Sequence, residues 1–182
     1  MEAGLALSSE RSLPAILQRI VELATQLTGA RYGAIGVLGP GGGISQFIYT
    51  GITPEQRTAI GDLPVGKGIL GALIEDARPL RLRDLASDPR LSGFPPNHPP
   101  MRSFLGAPVM ARGQVFGNIY LTEKQGAAEF DADDEQALVI LAAQAGVAVE
   151  NAHLYEELEA RVQRLDALHA IATAMVRDDD PE

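Results

Sequence analysis

Apolar residues recur with two different periods along the chain, and the changes of period predict the order of its elements. Helical spacing of three to four residues runs through Leu13–Thr28 and returns after Asp131. Between these segments, alternating apolar runs separated by turn residues predict two hairpins. The first hairpin joins residues 32–38 to Ile44–Thr50, and the second joins residues 103–112 to residues 114–123.

Shorter elements are predicted between the two hairpins. Thr53 and Pro54 have the residue types of an N-cap and a first helical position, so a short helix is expected to end near Gly61. A second short helix is predicted over residues 69–76, followed by a strand at Leu80–Leu82 and one helical turn at 84–87. Gly66-Lys67-Gly68 could present backbone amides to an anion, or its glycines could simply allow close packing, which we favour.

The last helix is predicted to begin after Asp131, a good N-cap, and to change character beyond Tyr155. Up to that point its apolar stripe is narrow and rich in alanine. Beyond it, apolar residues recur every three to four positions between charged ones, which is typical of a coiled coil: Leu158, Val162, Leu165 and Leu168. A homodimer through the terminal helices is therefore predicted. The expected organisation is a flexible tail at 1–12, a domain at 13–155, and a helical linker at 156–182 toward a further output domain.

Composition and charge exclude several classes of function. The chain has 182 residues, a net charge of −9 and 15 dispersed basic residues, which argues against nucleic acid and anionic membranes as partners. It has no cysteine, so thiolate metal sites, cysteine nucleophiles and thioether attachment of a cofactor are excluded. Neither a signal peptide nor an apolar run of about 20 residues is visible, so a cytoplasmic location is expected.

The segment most suggestive of chemistry is a proline-rich loop that contains one histidine. His98 lies among four prolines between positions 95 and 100, and each proline fixes its own φ and restricts the residue before it. A histidine held in this way can be a metal ligand, or a loop residue hydrogen-bonded to backbone. Tyr120, in the predicted strand 114–123, can likewise be a core residue with a satisfied hydroxyl or a hydrogen-bond donor to a ligand.

Three motifs together carry a resemblance to a known family. They read GFPPNHPPMRSFLGAPV at 93–109, FGNIYLT at 116–122 and NAHLY at 151–155. With the predicted order of elements, they resemble the GAF domains of actinobacterial sensor histidine kinases, in particular the first GAF domain of the DevS/DosT dormancy-survival kinases. The resemblance covers about residues 13–155. It implies an α+β sandwich, with a central antiparallel sheet, flanking helices, a pocket on one face and a long C-terminal helix.

The resemblance also implies a cofactor site. In the haem-binding relatives, the histidine that matches His98 is the proximal ligand of haem b iron. The tyrosine that matches Tyr120 is distal, and an aromatic residue that matches Phe47 controls access. Further apolar candidates for the slot are Met101, Phe104, Leu105 and Ile119. Gly36 stands where a redox-active relative has a glutamate that helps to close the pocket, so a path to ligand or solvent would be open.

The function that this resemblance implies is sensory rather than enzymatic. The expected fragment belongs to a two-component histidine kinase, detects a diatomic gas (O2, NO or CO) or redox state, and passes the signal to a downstream GAF or kinase domain. The alternative is a cofactor-free domain for dimerisation or interaction, or one that binds another small molecule such as a cyclic nucleotide. Reduction of methionine sulfoxide, known in other GAF domains, needs cysteines that are missing here.

Overall fold

The computed structural model describes residues 12–61, 68–91 and 98–178, with side chains in the last helix described as far as Ile171. In chain order the elements are α1 (Leu13–Thr28), β1 (Ala30–Leu38), β2 (Ile44–Thr50), α2 (Pro54–Ile60), α3 (Ile69–Glu75), β3 (Leu80–Leu82), a 3-10 turn (Leu85–Ser87), β4 (Phe104–Ala111), β5 (Gln114–Lys124) and α4 (Ala132–Asp178). The two hairpins, the short elements between them and the long last helix are confirmed. The predicted tail at 1–12, the Gly66-Lys67 segment and the loop at 92–97 fall largely or wholly outside the described residues.

Local capping signals explain where the helices begin and end. Gly29 ends α1 with a φ of 64°, a left-handed conformation that glycine adopts without strain. Thr53 and Gln56 form a reciprocal capping box at the start of α2. The Asp131 carboxylate accepts the backbone N–H groups of Asp133 at 3.0 Å and Asp134 at 2.9 Å, which fixes the start of α4.

The strands form one antiparallel sheet in the order β2-β1-β5-β4-β3. Because successive side chains alternate between the two faces, the pairing register assigns every strand position to a face. One face, which we call the helix face, carries Ile35 opposite Ile119, and Leu121 opposite Leu105. The opposite face, called here the Tyr120 face, carries Tyr120 opposite both Ala34 and Gly106.

The main core lies between the helix face and the helices α1 and α4. Its buried members include Leu17 and Ile20 of α1 and Leu141 of α4, with Val37, Val109 and Ile119 of the sheet. The narrow small-residue stripe of α4 allows close approach to the sheet, because a Cβ placed on Gly146 would lie 2.2 Å from the Met110 carbonyl oxygen.

A second apolar cluster covers part of the Tyr120 face. Its buried members are Ile69 and Leu73 of α3, Leu85 of the 3-10 turn and Phe104 of β4. Met101 and Tyr120 pack against this cluster as partly buried residues. Phe104 is thus buried on the opposite side of the sheet from the main core.

The chain divides into a unit that ends at Val149 and a second unit of Glu150–Glu182. In the second unit every described side chain from Leu154 to Ile171 is exposed. By length and composition alone, α4 also contains the one window among the described residues that could cross a membrane, although a third of that window is buried inside the structure. That signal is weak, because the core helix of a folded domain passes the same test.

Candidate functional site

The Tyr120 face brings together three of the aromatic residues singled out from the sequence. Phe47 of β2 lies opposite Gly36, which in turn lies opposite Asn118 of β5. In the neighbouring row, Tyr120 lies between Ala34 and Gly106, and Phe104 shares this face one row further on. The alternation of the strands therefore places Phe47, Phe104 and Tyr120 on one surface.

Tyr120 stacks on Phe104 at the centre of this surface. The two ring centroids are 6.0 Å apart and the ring planes differ by 22°. Burial raises the pKa of the Tyr120 phenol above its usual value, and the positive charge of Arg57 lowers it by less. The hydroxyl therefore stays protonated throughout the neutral range, which is the form that can donate a hydrogen bond.

Helix α3 is packed tightly on the part of the face next to Tyr120. The Asn118 side-chain amide donates to the Leu70 carbonyl oxygen at 3.0 Å, and Asn118 is almost completely buried. A Cβ placed on Gly106 would lie 2.5 Å from Leu73 Cδ1, so a side chain there would require the buried Leu73 to move. Asn118 was missed from the sequence; its signal is an amide placed between the apolar residues of a buried strand.

The loop that contains His98 reaches the same face of the sheet. The Thr122 hydroxyl donates to Met101 Sδ at 3.1 Å, and Thr122 lies on the Tyr120 face opposite Phe104. His98 is partly buried, and its Nδ1 lies 2.9 Å from the Pro99 carbonyl oxygen. A carbonyl oxygen only accepts, so this contact places a proton on Nδ1.

The edge of the face at β2 is more open. Phe47 is partly buried, and its ring centroid lies 6.3 Å from that of Tyr49. A Cβ on the neighbouring Gly36 would meet Ile44 Cδ1 at 3.4 Å and Asn118 Oδ1 at 3.6 Å, which are ordinary contacts. A side chain at position 36 would therefore project onto this face between Phe47 and Asn118.

Two residues predicted to line the slot lie on the wrong side of the sheet. Leu105 and Ile119 are completely buried, and both belong to the main core on the helix face. A pocket on the Tyr120 face therefore cannot include them, and the predicted set is corrected to His98, Met101, Phe104, Tyr120 and Phe47. The error follows from the period of a strand, since Leu105 and Ile119 directly neighbour Phe104 and Tyr120 in sequence.

A groove of about 470 Å³ lies between α3 and β3 and was not predicted. Its lining includes Leu73, Leu80, Asp76 and Arg90. Arg90 is already engaged, because its guanidinium lies 2.7 Å from Asp88 Oδ2 and 3.9 Å from Asp76 Oδ2. The charge of Arg90 is therefore largely compensated by these carboxylates, and a second arginine, Arg78, also lines the groove.

Comparison with known proteins agrees with this architecture. The family model described as GAF domain matches residues 10–150. The chain belongs to the GAF domain family. Its fold is the GAF fold, with a five-stranded antiparallel sheet, flanking helices and a long C-terminal helix, in the α+β class. GAF domains are regulatory sensor domains, and the matched region shows a GAF domain and no catalytic domain.

Several solved GAF domains are similar to this one. The GAF domain of an Acinetobacter phosphoenolpyruvate-protein phosphotransferase is 25% identical, with a TM-score of 0.66, covering 79% of this chain and 85% of that one. The second GAF domain of DevS from Mycobacterium smegmatis is 23% identical, with a TM-score of 0.59, covering 81% and 99%. A Coxiella burnetii phosphotransferase GAF domain is 20% identical, with a TM-score of 0.69, covering 80% and 87%. The last two similarities concern the fold alone.

Proposed function

We propose that this GAF domain is the sensory part of a histidine kinase and binds haem b non-covalently, with His98 as the proximal ligand. The observation that carries the proposal is the contact between His98 Nδ1 and the Pro99 carbonyl oxygen at 2.9 Å. Histidine ligands of metals usually donate their second ring N–H to a carbonyl or carboxylate, which orients the ring and makes the ligating nitrogen more basic. With Nδ1 donating to this carbonyl oxygen, Nε2 would be the nitrogen that ligates the iron.

The other residues of the face suit a site for a small diatomic ligand. When bound, haem b supplies an iron that can coordinate O2, NO or CO or change its redox state. The protonated Tyr120 hydroxyl would donate a hydrogen bond to such a ligand, and Phe47 would limit entry at the open edge. Met101 and Phe104 would provide apolar contacts. Gly36 would leave access beside Phe47 where a longer side chain would narrow it.

One observation favours a second candidate function, a cofactor-free interaction domain. Leu73 lies against Gly106, and Asn118 is hydrogen-bonded to α3, so the centre of the face is already packed. A planar macrocycle would need α3 to shift, whereas an interaction domain would keep this packing. A smaller ligand such as a cyclic nucleotide, held nearer to Phe47, falls under the same alternative.

Reconstitution with hemin separates the two candidates. We expect wild-type protein to show a Soret band that shifts when the reduced sample is exposed to carbon monoxide. His98→Ala should lose this band or change it strongly, while the matched control His153→Ala, on α4, should keep it. If wild type takes up no haem, or if His98→Ala binds haem with an unchanged spectrum, the proximal assignment fails and the interaction domain becomes the better conclusion.

We further propose that the protein forms a homodimer through its terminal helices and signals along α4 to an output domain. The support is apolar surface: Leu158, Val162, Leu165 and Leu168 of the second unit are each about half exposed. Large apolar side chains at coiled-coil spacing are rarely left in water. Light scattering should give the mass of a dimer, and truncation after Tyr155 should weaken association. A monomer at every concentration would overturn the dimer without affecting the haem proposal.

A further inference from the structure

The exposed apolar residues of the second unit form a stripe that is wider than one coiled-coil seam. Seven large apolar side chains between Leu154 and Ile171 are 48% to 70% exposed: Leu154, Tyr155, Leu158, Val162, Leu165, Leu168 and Ile171. Leu158 and Leu165 are seven residues apart, so they repeat on one line along the helix. On each side of this line lies a second row of side chains, and either row can complete a coiled-coil seam with Leu158 and Leu165.

The two rows that flank Leu158 and Leu165 define two different seams. Seam A combines the shared leucines with Tyr155, Val162 and His169, which precede or follow them by three or four residues. Seam B combines the same leucines with Leu154, Arg161 and Leu168, on the other side of the line. Each seam keeps the alternating spacing of three and four residues that a coiled coil requires, and each contains one polar residue, His169 in seam A and Arg161 in seam B.

We propose that α4 pairs in parallel with α4 of a second copy of this chain and can use either seam. The proposal rests on the homodimer proposed above and adds to it the two alternative packings. Passing from one seam to the other rotates each helix about its own axis by about 50°, one seventh of a turn, without breaking the line of Leu158 and Leu165. Such a rotation is a discrete two-state change that a following domain can detect.

Charge favours a second copy in the parallel direction as the occupant. When seam A forms, Arg161 and Asp166 both lie beside the seam. In a parallel pair, Arg161 of one helix then faces Asp166 of the other, because such flanking positions pair with an offset of five residues. In an antiparallel pair, the flanking positions of Glu159 and Asp166 would instead face each other across the seam. Opposite charges would be replaced by like charges, so the parallel arrangement is preferred.

The polar residues make the two seams comparable in stability. Burying the Arg161 guanidinium costs stability in seam B, and burying the His169 imidazole costs stability in seam A. Neither seam is fully apolar, so neither packing is strongly preferred by its side chains. A modest change delivered by the sensory domain would then be enough to alter the ratio of the two populations.

The absence of cysteine from the chain allows a direct test. Single-cysteine variants report helix pairing by the rate of disulfide formation between two copies. Leu158→Cys should cross-link rapidly in both packings, whereas Ala160→Cys lies outside both seams and is the control. Val162→Cys reports seam A and Leu168→Cys reports seam B, and we expect both to cross-link faster than Ala160→Cys.

Two further substitutions should move the balance in opposite directions. His169→Leu makes seam A apolar and should raise the rate at Val162→Cys relative to Leu168→Cys by about fivefold or more, whereas Arg161→Leu should lower this ratio by a similar factor. If the ratio is the same in both backgrounds, or if only one reporter ever cross-links, a single seam is present and the proposal is wrong. Light scattering on the same variants distinguishes this result from loss of the dimer itself.

Discussion

Lys124 Nζ lies 2.7 Å from Asp134 Oδ2, and this pair joins three elements of the GAF domain. The same ammonium group donates to the Thr28 carbonyl oxygen at 2.8 Å, at the end of α1, while Asp134 Oδ2 also accepts the backbone N–H of Asp131 at 3.0 Å. Both side chains are mostly buried, with 16% and 8% of their surface exposed. The end of β5, the end of α1 and the start of α4 are therefore held at one point.

We expect Lys124→Met to destabilise the domain by about 3 kcal/mol, because the Asp134 carboxylate would stay buried without its cation. Unfolding by urea, monitored by circular dichroism, measures the loss. Glu135→Gln is the matched control, since it breaks the more exposed pair with Arg81 at 3.2 Å and should cost less than about 1 kcal/mol. Equal losses of unfolding free energy in the two variants would show that the buried pair stabilises the domain no more than the exposed pair does.

This pair also shows which parts of the fold were visible in the sequence. Caps and turns depend on neighbours, so Asp131 and Thr53 could be assigned to helix starts from local residues alone. The partner of Asp134 could not be assigned in this way. Its pairing with Lys124 depends on how the end of β5 returns to α4, and no local pattern encodes that.

For the candidate site too, the local pattern was visible in the sequence but the packing between distant elements was not. The alternation along β4 and β5 correctly separates Phe104 from Leu105, but it does not say which of the two faces is left to a ligand. That choice is made by α1 and α4, which bury Leu105 and Ile119 beneath them. The packing of Leu73 on Gly106 likewise joins residues 33 positions apart and could not be inferred from spacing.

Gly146→Ala tests the close approach of α4 to the sheet. In an ordinary helix this change would stabilise by about 1 kcal/mol. Here the new Cβ would lie 2.2 Å from the Met110 carbonyl oxygen, so β4 and α4 must separate, and we expect a net loss of about 2 kcal/mol. Gly43→Ala, in the turn between β1 and β2, meets no atom within 4 Å and should be neutral or slightly stabilising in the same denaturation experiment. A neutral Gly146→Ala would contradict the packing described.

Asp131 should make stability depend on acid pH. The backbone N–H of Asp134 and, to a smaller extent, that of Asp133 and the charges of Lys124 and Arg81 lower the pKa of this carboxyl. A lowered pKa in the folded state gives stability that is present above the unfolded pKa of about 3.9 and is lost as the pH falls through the folded value. Asp131→Asn keeps a capping side chain but cannot titrate.

We therefore expect the wild type to lose stability relative to Asp131→Asn as the pH is lowered from neutral into this acid range. Thermal unfolding of both proteins across that range measures the difference. Parallel curves for the two proteins would mean that the cap does not titrate in this way.

Tyr120 predicts the opposite dependence, at alkaline pH. Burial raises the pKa of its phenol, so the folded state keeps the proton at a pH where the unfolded chain, with an ordinary pKa of about 10, has lost it. The stability that this group contributes is fully present below about pH 10 and falls as the pH rises further, by at most about 1.4 kcal/mol per pH unit.

Tyr120→Phe removes the titrating group, so its stability should fall less steeply than that of the wild type between about pH 10 and 11. Urea denaturation at several pH values provides the comparison, and equal slopes for Tyr120→Phe and wild type would show that the phenol is not desolvated in the folded domain.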